Sequence, residues 1–140
     1  ENVDKAVSYL QETKGNILIT TGGKELQKYT RLKNYQDRCY ARVLSTKNSM
    51  TDAAELGFEG RHLIAMQGPF STEMNIALLH YTEASYLVTK ESGKAGGFDE
   101  KIKAAQKTGT KLVIIQRPIE NGLSVEQTIS YCMEKMYPFS

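Results

Sequence analysis

Glycines, hydroxyls and basic side chains gather at four points of this sequence: Thr20-Thr21-Gly22-Gly23-Lys24, Gln67-Gly68-Pro69-Phe70-Ser71, Thr89-Lys90-Glu91-Ser92-Gly93 with Gly96 and Gly97 beyond, and Gln116-Arg117-Pro118. Glycine lets a backbone approach an anion closely, hydroxyls donate to it, and Lys or Arg neutralises it. Such turns therefore suit a phosphate or a polycarboxylate. Turns also attract Gly, Pro, Ser and Thr on conformational grounds alone, so one of them in isolation argues little. Lys24, Lys90 and Arg117 give three of the four a cation. Lys101 adds a smaller hint, because it falls in the first turn of an expected helix, where the macrodipole disfavours a cation by about 0.3–1 kcal/mol. Either it is fully solvated or an anion holds it there.

Other chemistries find less support. Cys39 and Cys132 lie far apart in different expected elements and form no CxxC pair, which suits packing residues in a reduced, cytoplasmic protein. His62 and His80 have no metal-ligand spacing, so no metal site is expected. There is no GxGxxG, no GxxxxGK[ST], no nucleophile elbow and no obvious carboxylate dyad. Glu73, Glu83 and Glu91 read as capping or surface residues, and the catalytic residues stay unassigned.

With 140 residues, 40% hydrophobic and 24% charged, the chain has the composition of one ordinary globular domain, expected to span 1–140. A formal charge of +2, with lysines scattered along the chain, gives no case for nucleic acid as a partner. The apolar runs, such as Leu112 to Ile115, fall far short of the roughly 20 residues that cross a membrane, so no membrane partner is expected. The opening Glu1-Asn2-Val3-Asp4 has neither an initiator Met nor a charged-then-apolar leader, the start expected of a segment from something longer.

The elements that would position the four turns follow from periodicity. Val3, Ala6, Val7 and Leu10 predict a helix over about 3–13, ended by Gly15, and Asn16 to Thr20 predicts a strand buried on both faces. Further strands are expected at 38–44, 62–66, 85–89 and 111–116, with helices at 51–56, 71 or 72 to 82, 99–107, and a last one capped by Ser124. Strands separated by helices pair in parallel through crossovers, because a hairpin cannot reach a parallel neighbour. The expected fold is an α/β three-layer sandwich with a mostly parallel five-stranded sheet. Ligands of such sheets bind beyond the carboxyl ends of the strands, where all four turns would lie. Phosphoacceptor receiver domains share this architecture but want acidic residues where Thr20-Thr21 and Met66-Gln67 stand. The Thr-Thr-Gly-Gly turn has the look of a flavodoxin phosphate loop, without a Trp or flanking aromatic pair to stack a flavin.

In order and spacing, Ile19 to Lys24, Ala65 to Ser71, Leu87 to Gly93, Glu100-Lys101 with Ala104-Ala105, and Gln116-Arg117-Pro118 resemble the motifs of precorrin-6A reductases, including cobalt-precorrin-6A reductases, over essentially the whole chain. That resemblance implies two Rossmann-like domains with NADPH and a corrinoid macrocycle meeting between them, and reduction of one double bond in cobalamin biosynthesis. It implies that this chain is the carboxyl-terminal domain, inactive without its amino-terminal partner. It also implies that Thr21, Gly22, Gly68, Pro69, Phe70, Ser71, Thr89, Lys90, Ser92, Gly93, Lys101 and Arg117 contribute to binding NADPH phosphates or macrocycle carboxylates. A non-catalytic nucleotide- or anion-binding module, or a protein interaction domain, remains open on the residues alone.

Overall fold

The computed structural model describes residues 2–90 and 97–115. Helix α1 (Asn2–Gln11) precedes strand β1 (Asn16–Ile19); a short α2 (Tyr35–Arg38) leads into β2 (Cys39–Val43), and α3 (Lys47–Glu55) into β3 (Leu63–Ala65). Then α4 (Thr72–Thr82), β4 (Ala84–Lys90), α5 (Phe98–Thr108) and β5 (Lys111–Ile115) follow in alternation. The strands form one parallel sheet in the order β3-β2-β1-β4-β5. The chain thus starts at the middle, builds outward to β3, and crosses back to lay β4 beside β1. That reversal leaves a crevice at the carboxyl ends of β1 and β4, the switch point where such sheets bind ligands.

Alternating residues of each strand feed two separate cores. Ile17, Ile19, Ala41, Val43, Val88 and Val113 pack under α1 and α3, while Leu18, Tyr40, Leu87, Leu112 and Ile114 pack under α4 and α5. The expected three-layer α/β sandwich is therefore present. Cys39 is wholly buried, as a packing residue should be, and burial pushes its thiol up to about 12. No helix of the described residues is long and apolar enough to cross a membrane, and among them no group of His, Cys, Asp and Glu could hold a metal ion.

Local chemistry moves several boundaries. Arg38, expected inside the second strand, ends α2 instead, and its guanidinium donates to the Gly15 and Leu10 carbonyls and to Thr13 Oγ1, closing the turn between α1 and β1. α3 starts at Lys47 rather than Thr51, because Thr46 accepts from the Ser49 N–H and caps it a turn earlier. A 3-10 helix at Leu26–Arg31 was not expected. Leu26, Tyr29 and Leu32 recur every third residue and are all buried, the period of that helix and not of an α-helix. Gln116 of the expected fifth strand and the helix capped by Ser124 lie outside the described residues.

Candidate functional site

A cleft of about 470 Å³ opens at the carboxyl edge of the sheet. Its walls come from Thr20 and Gly22 after β1, Arg42 to Leu44 at the end of β2, Met66 to Phe70 after β3, Asn75 of α4, and Gly97 and Lys101 at the start of α5. The convergence follows from topology, since parallel strands send every outgoing turn to one edge.

Two cations face this cleft from buried positions. Arg42, 6% exposed, donates from Nη1 to Asn75 Oδ1 at 2.8 Å and lies 3.9 Å from the centre of the Phe70 ring. Lys101, 8% exposed, donates from Nζ to Thr89 Oγ1 at 2.9 Å. Among the described residues neither forms an ion pair with a carboxylate. Burial pushes Arg42 down to about 10, which leaves it charged at neutral pH. Burial and then the Arg42 charge push Lys101 down to about 8. Two buried like charges with neutral partners cost free energy, and an oxyanion between them would relieve it.

The turn after β3 is built around Arg42. Ser71 caps α4 by accepting from the Met74 N–H, and its carbonyl accepts from Asn75 Nδ2 at 2.9 Å. Phe70 covers the guanidinium, and Gly68 leaves room for that ring: a Cβ at Gly68 would lie 3.1 Å from it. Met66, Pro69, Phe70 and Leu44 make the rest of this wall apolar, suited to a flat ring beside the oxyanion site.

Gly22, Gly68, Pro69, Phe70 and Lys101 thus line one cleft, with Thr89 directly behind Lys101. Ser71 stands one step back, as cap and anchor. Thr21 does not line the cleft; its Oγ1 is buried beside the Tyr29 hydroxyl, the two facing each other outside hydrogen-bond geometry. Lys90 is exposed and also stands off the lining. Ser92, Gly93 and Arg117 lie outside the described residues. Of the two situations expected for Lys101, full solvation is wrong, because the α5 side chain turns inward to Thr89. Sequence reasoning missed Arg42 and Asn75. Their signal was present: an Arg inside an otherwise apolar buried strand, and an Asn on the face of α4 that buries Leu78, Leu79 and Thr82.

Comparison with known proteins converges on one family. The family model described as "Precorrin-6x reductase CbiJ/CobK" matches residues 1–134. The cobalt-precorrin-6A reductase of Priestia megaterium is 40% identical over 122 residues, covering 85% of this chain and 48% of that protein. Its counterpart from Salmonella typhimurium is 35% identical over 102 residues, covering 73% of this chain and 38% of that protein. The chain therefore spans about half the length, or less, of these relatives. Among solved structures, a CobK precorrin-6A reductase superposes with a TM-score of 0.61 over 95% of this chain and 53% of its own, at 19% identity, which speaks to the fold alone.

Proposed function

Because this chain belongs to the precorrin-6x reductase family, we propose that it is the carboxyl-terminal domain of a precorrin-6A or cobalt-precorrin-6A reductase. In this reading residues 1–140 form one Rossmann-like unit, and the intact cytoplasmic enzyme uses NADPH to reduce one double bond of the corrinoid macrocycle in cobalamin biosynthesis. The observation that carries it at this site is the buried pair Arg42 and Lys101, which face the cleft with no carboxylate partner among the described residues.

Both expected ligands end in oxyanions, phosphates on NADPH and carboxylates on the macrocycle, and the cleft's donors fit either. Arg42 and Lys101 neutralise the oxyanion, Gly22 and Gly68 let it approach the backbone, and Phe70 and Pro69 shield the charges from water. Lys90, Ser92, Gly93 and Arg117 remain part of the proposed set of binding residues. A bound nicotinamide would supply the hydride, and a proton from solvent or an acid would complete the reduction; no nucleophile is required of the protein, and the domain's part is to bind and orient. Without its partner domain the same cleft serves as an anion-binding module.

Titration of the domain with NADPH and, separately, with a corrinoid analogue tests this. The amide resonances of Gly68, Phe70, Ser71 and Thr89 should move with the ligand this domain holds, and the responding ligand tells cofactor from macrocycle. No movement with either overturns the site. For the intact protein, no NADPH oxidation with cobalt-containing or metal-free precorrin-6A would sink the reductase reading.

A further inference from the structure

The partner of the buried Arg42 is an amide, although a carboxylate of the same shape would pair with a buried guanidinium more strongly. Asn75 is 2% exposed and sits on the inner face of α4, so nothing in solvent shares its task. Its Oδ1 accepts from Arg42 Nη1 at 2.8 Å, and its Nδ2 donates to the Ser71 carbonyl at 2.9 Å. One side chain therefore ties the cation on β2 to the turn that carries Gly68, Pro69 and Phe70. Phe70 closes the other side of the guanidinium with its ring, again without bringing a negative charge. Every described contact that holds Arg42 is neutral.

We propose that Asn75 is a positioning residue whose neutral amide fixes the Arg42 guanidinium toward the cleft while leaving its charge free for an incoming oxyanion. The inference rests on the oxyanion reading of the cleft and deepens it. A guanidinium offers five N–H donors, and Asn75 takes one of them, on Nη1. An aspartate at the same place would hold Arg42 as firmly but cancel its charge, and it would turn an oxygen toward the Ser71 carbonyl. Arg42 would then stay tied to α4, while the tie to the Ser71 turn is lost and the cleft loses much of its attraction for anions. Lys101 would feel the same change, because the Arg42 charge that now acts on it would be neutralised. Choice of an amide over an acid thus keeps the charge of the site and the tie to the Ser71 turn together.

The test compares Asn75→Asp and Asn75→Ala in this chain, using inorganic phosphate as the probe, with affinity from NMR titration and folding from thermal melts. Ala removes both hydrogen bonds but keeps the Arg42 charge, whereas Asp keeps the bond to Arg42, loses the one to the Ser71 carbonyl, and neutralises the charge. A purely structural Asn75 makes Ala the worse variant in affinity as in stability. The proposal expects the opposite order for affinity: a loss of about threefold in Asn75→Ala and of about tenfold or more in Asn75→Asp, the scale of one charged contact. In the intact protein, KM for the ligand held here should rise in that order while kcat changes less. Phosphate binding to Asn75→Asp as tight as in the unsubstituted chain, or tighter than to Asn75→Ala, overturns the proposal. Arg42→Met separates the two levels. If it loses phosphate while Asn75→Asp retains it, the role of Asn75 falls and the site stands; if Arg42→Met also retains it, the oxyanion site falls with it. Should Asn75→Asp not fold, Asn75→Ala decides alone, and an unchanged phosphate affinity there overturns the proposal.

Discussion

Lys101 carries a charge where water and carboxylates are both scarce. Its pKa lies at about 8 against an ordinary 10.5, set by burial first and by the Arg42 charge second. At about 1.4 kcal/mol for each tenfold change in protonation, that depression corresponds to roughly 3 kcal/mol of unfavourable charge burial in the folded state. The sign follows from proton counts. Between about pH 8 and 10.5 the unfolded chain holds the Lys101 proton and the folded chain has released it, so stability rises with pH across that window. Below about pH 8 both states are protonated and the penalty is present in full. Lys101→Met should therefore raise the stability of the chain at pH 7 by about 1 to 3 kcal/mol in denaturant melts, flatten the rise between pH 8 and 10.5, and weaken oxyanion binding by about tenfold. A variant both less stable and unchanged in binding would contradict the site. At this scale the sequence was only half legible. The odd placement of a Lys in a first helical turn was visible in advance, but its inward path to Thr89 was not. Arg42 escaped notice because strands are recognised by their apolar run, which averages one polar residue away; the buried stretch Cys39-Tyr40-Ala41-Arg42-Val43 reads as a strand with or without it.

The turn from β3 to α4 is where element and site meet. Ser71 holds both the Met74 N–H and, through its carbonyl, the Asn75 side chain, so the helix start and the Arg42 anchor share one residue. Ser71→Ala should cost about 1 kcal/mol in a thermal or denaturant melt, the usual value of a lost N-cap. Because the carbonyl remains, its effect on oxyanion affinity should stay within about twofold, well below one charged contact. Gly68→Ala is expected to behave in the reverse way. The added Cβ meets the Phe70 ring at 3.1 Å, so the ring that covers the Arg42 guanidinium must give by a few tenths of an ångström. Disturbance of that stacking, worth up to about 0.5–2 kcal/mol in full, should weaken ligand binding more than it lowers the melting temperature. Equal effects on both measurements would mean that Gly68 serves the fold alone. Strands were readable at this scale from short apolar, β-branched runs and long helices from the 3.6 period, and the four glycine-rich turns from composition. The 3-10 helix at Leu26–Arg31 and the early start of α3 were missed because each depends on a different signal, a three-residue period in one and a single capping Thr46 in the other.

At the scale of the molecule, the order β3-β2-β1-β4-β5 matters more than any one turn. It places a buried core on each face of the sheet and all the outgoing turns on one edge, so a stable scaffold exists before any ligand arrives. Alternation of strands and helices predicted the parallel sheet, but the strand order could not be read, since several orders satisfy the same alternation. The cleft that results, about 470 Å³, has the size to hold one drug-sized group and is lined from a single edge of this sheet. Hydride transfer needs donor and acceptor within about 3.5 Å of each other, held from both sides. The relatives extend well beyond the region this chain matches, with 48% and 38% of their lengths covered. This chain alone should therefore bind phosphate or carboxylate ligands through Arg42 and Lys101 and yet oxidise no NADPH when precorrin-6A is added. Adding back the region the relatives carry beyond it, as the intact protein or as a separate domain, should restore oxidation. Turnover by this chain alone would show that the cleft holds both reactants and that the rest of the relatives' length is dispensable for the chemistry. Absence of turnover with abundant oxyanion binding would support the proposed division of labour, with binding within this sheet and chemistry that needs the rest of the protein.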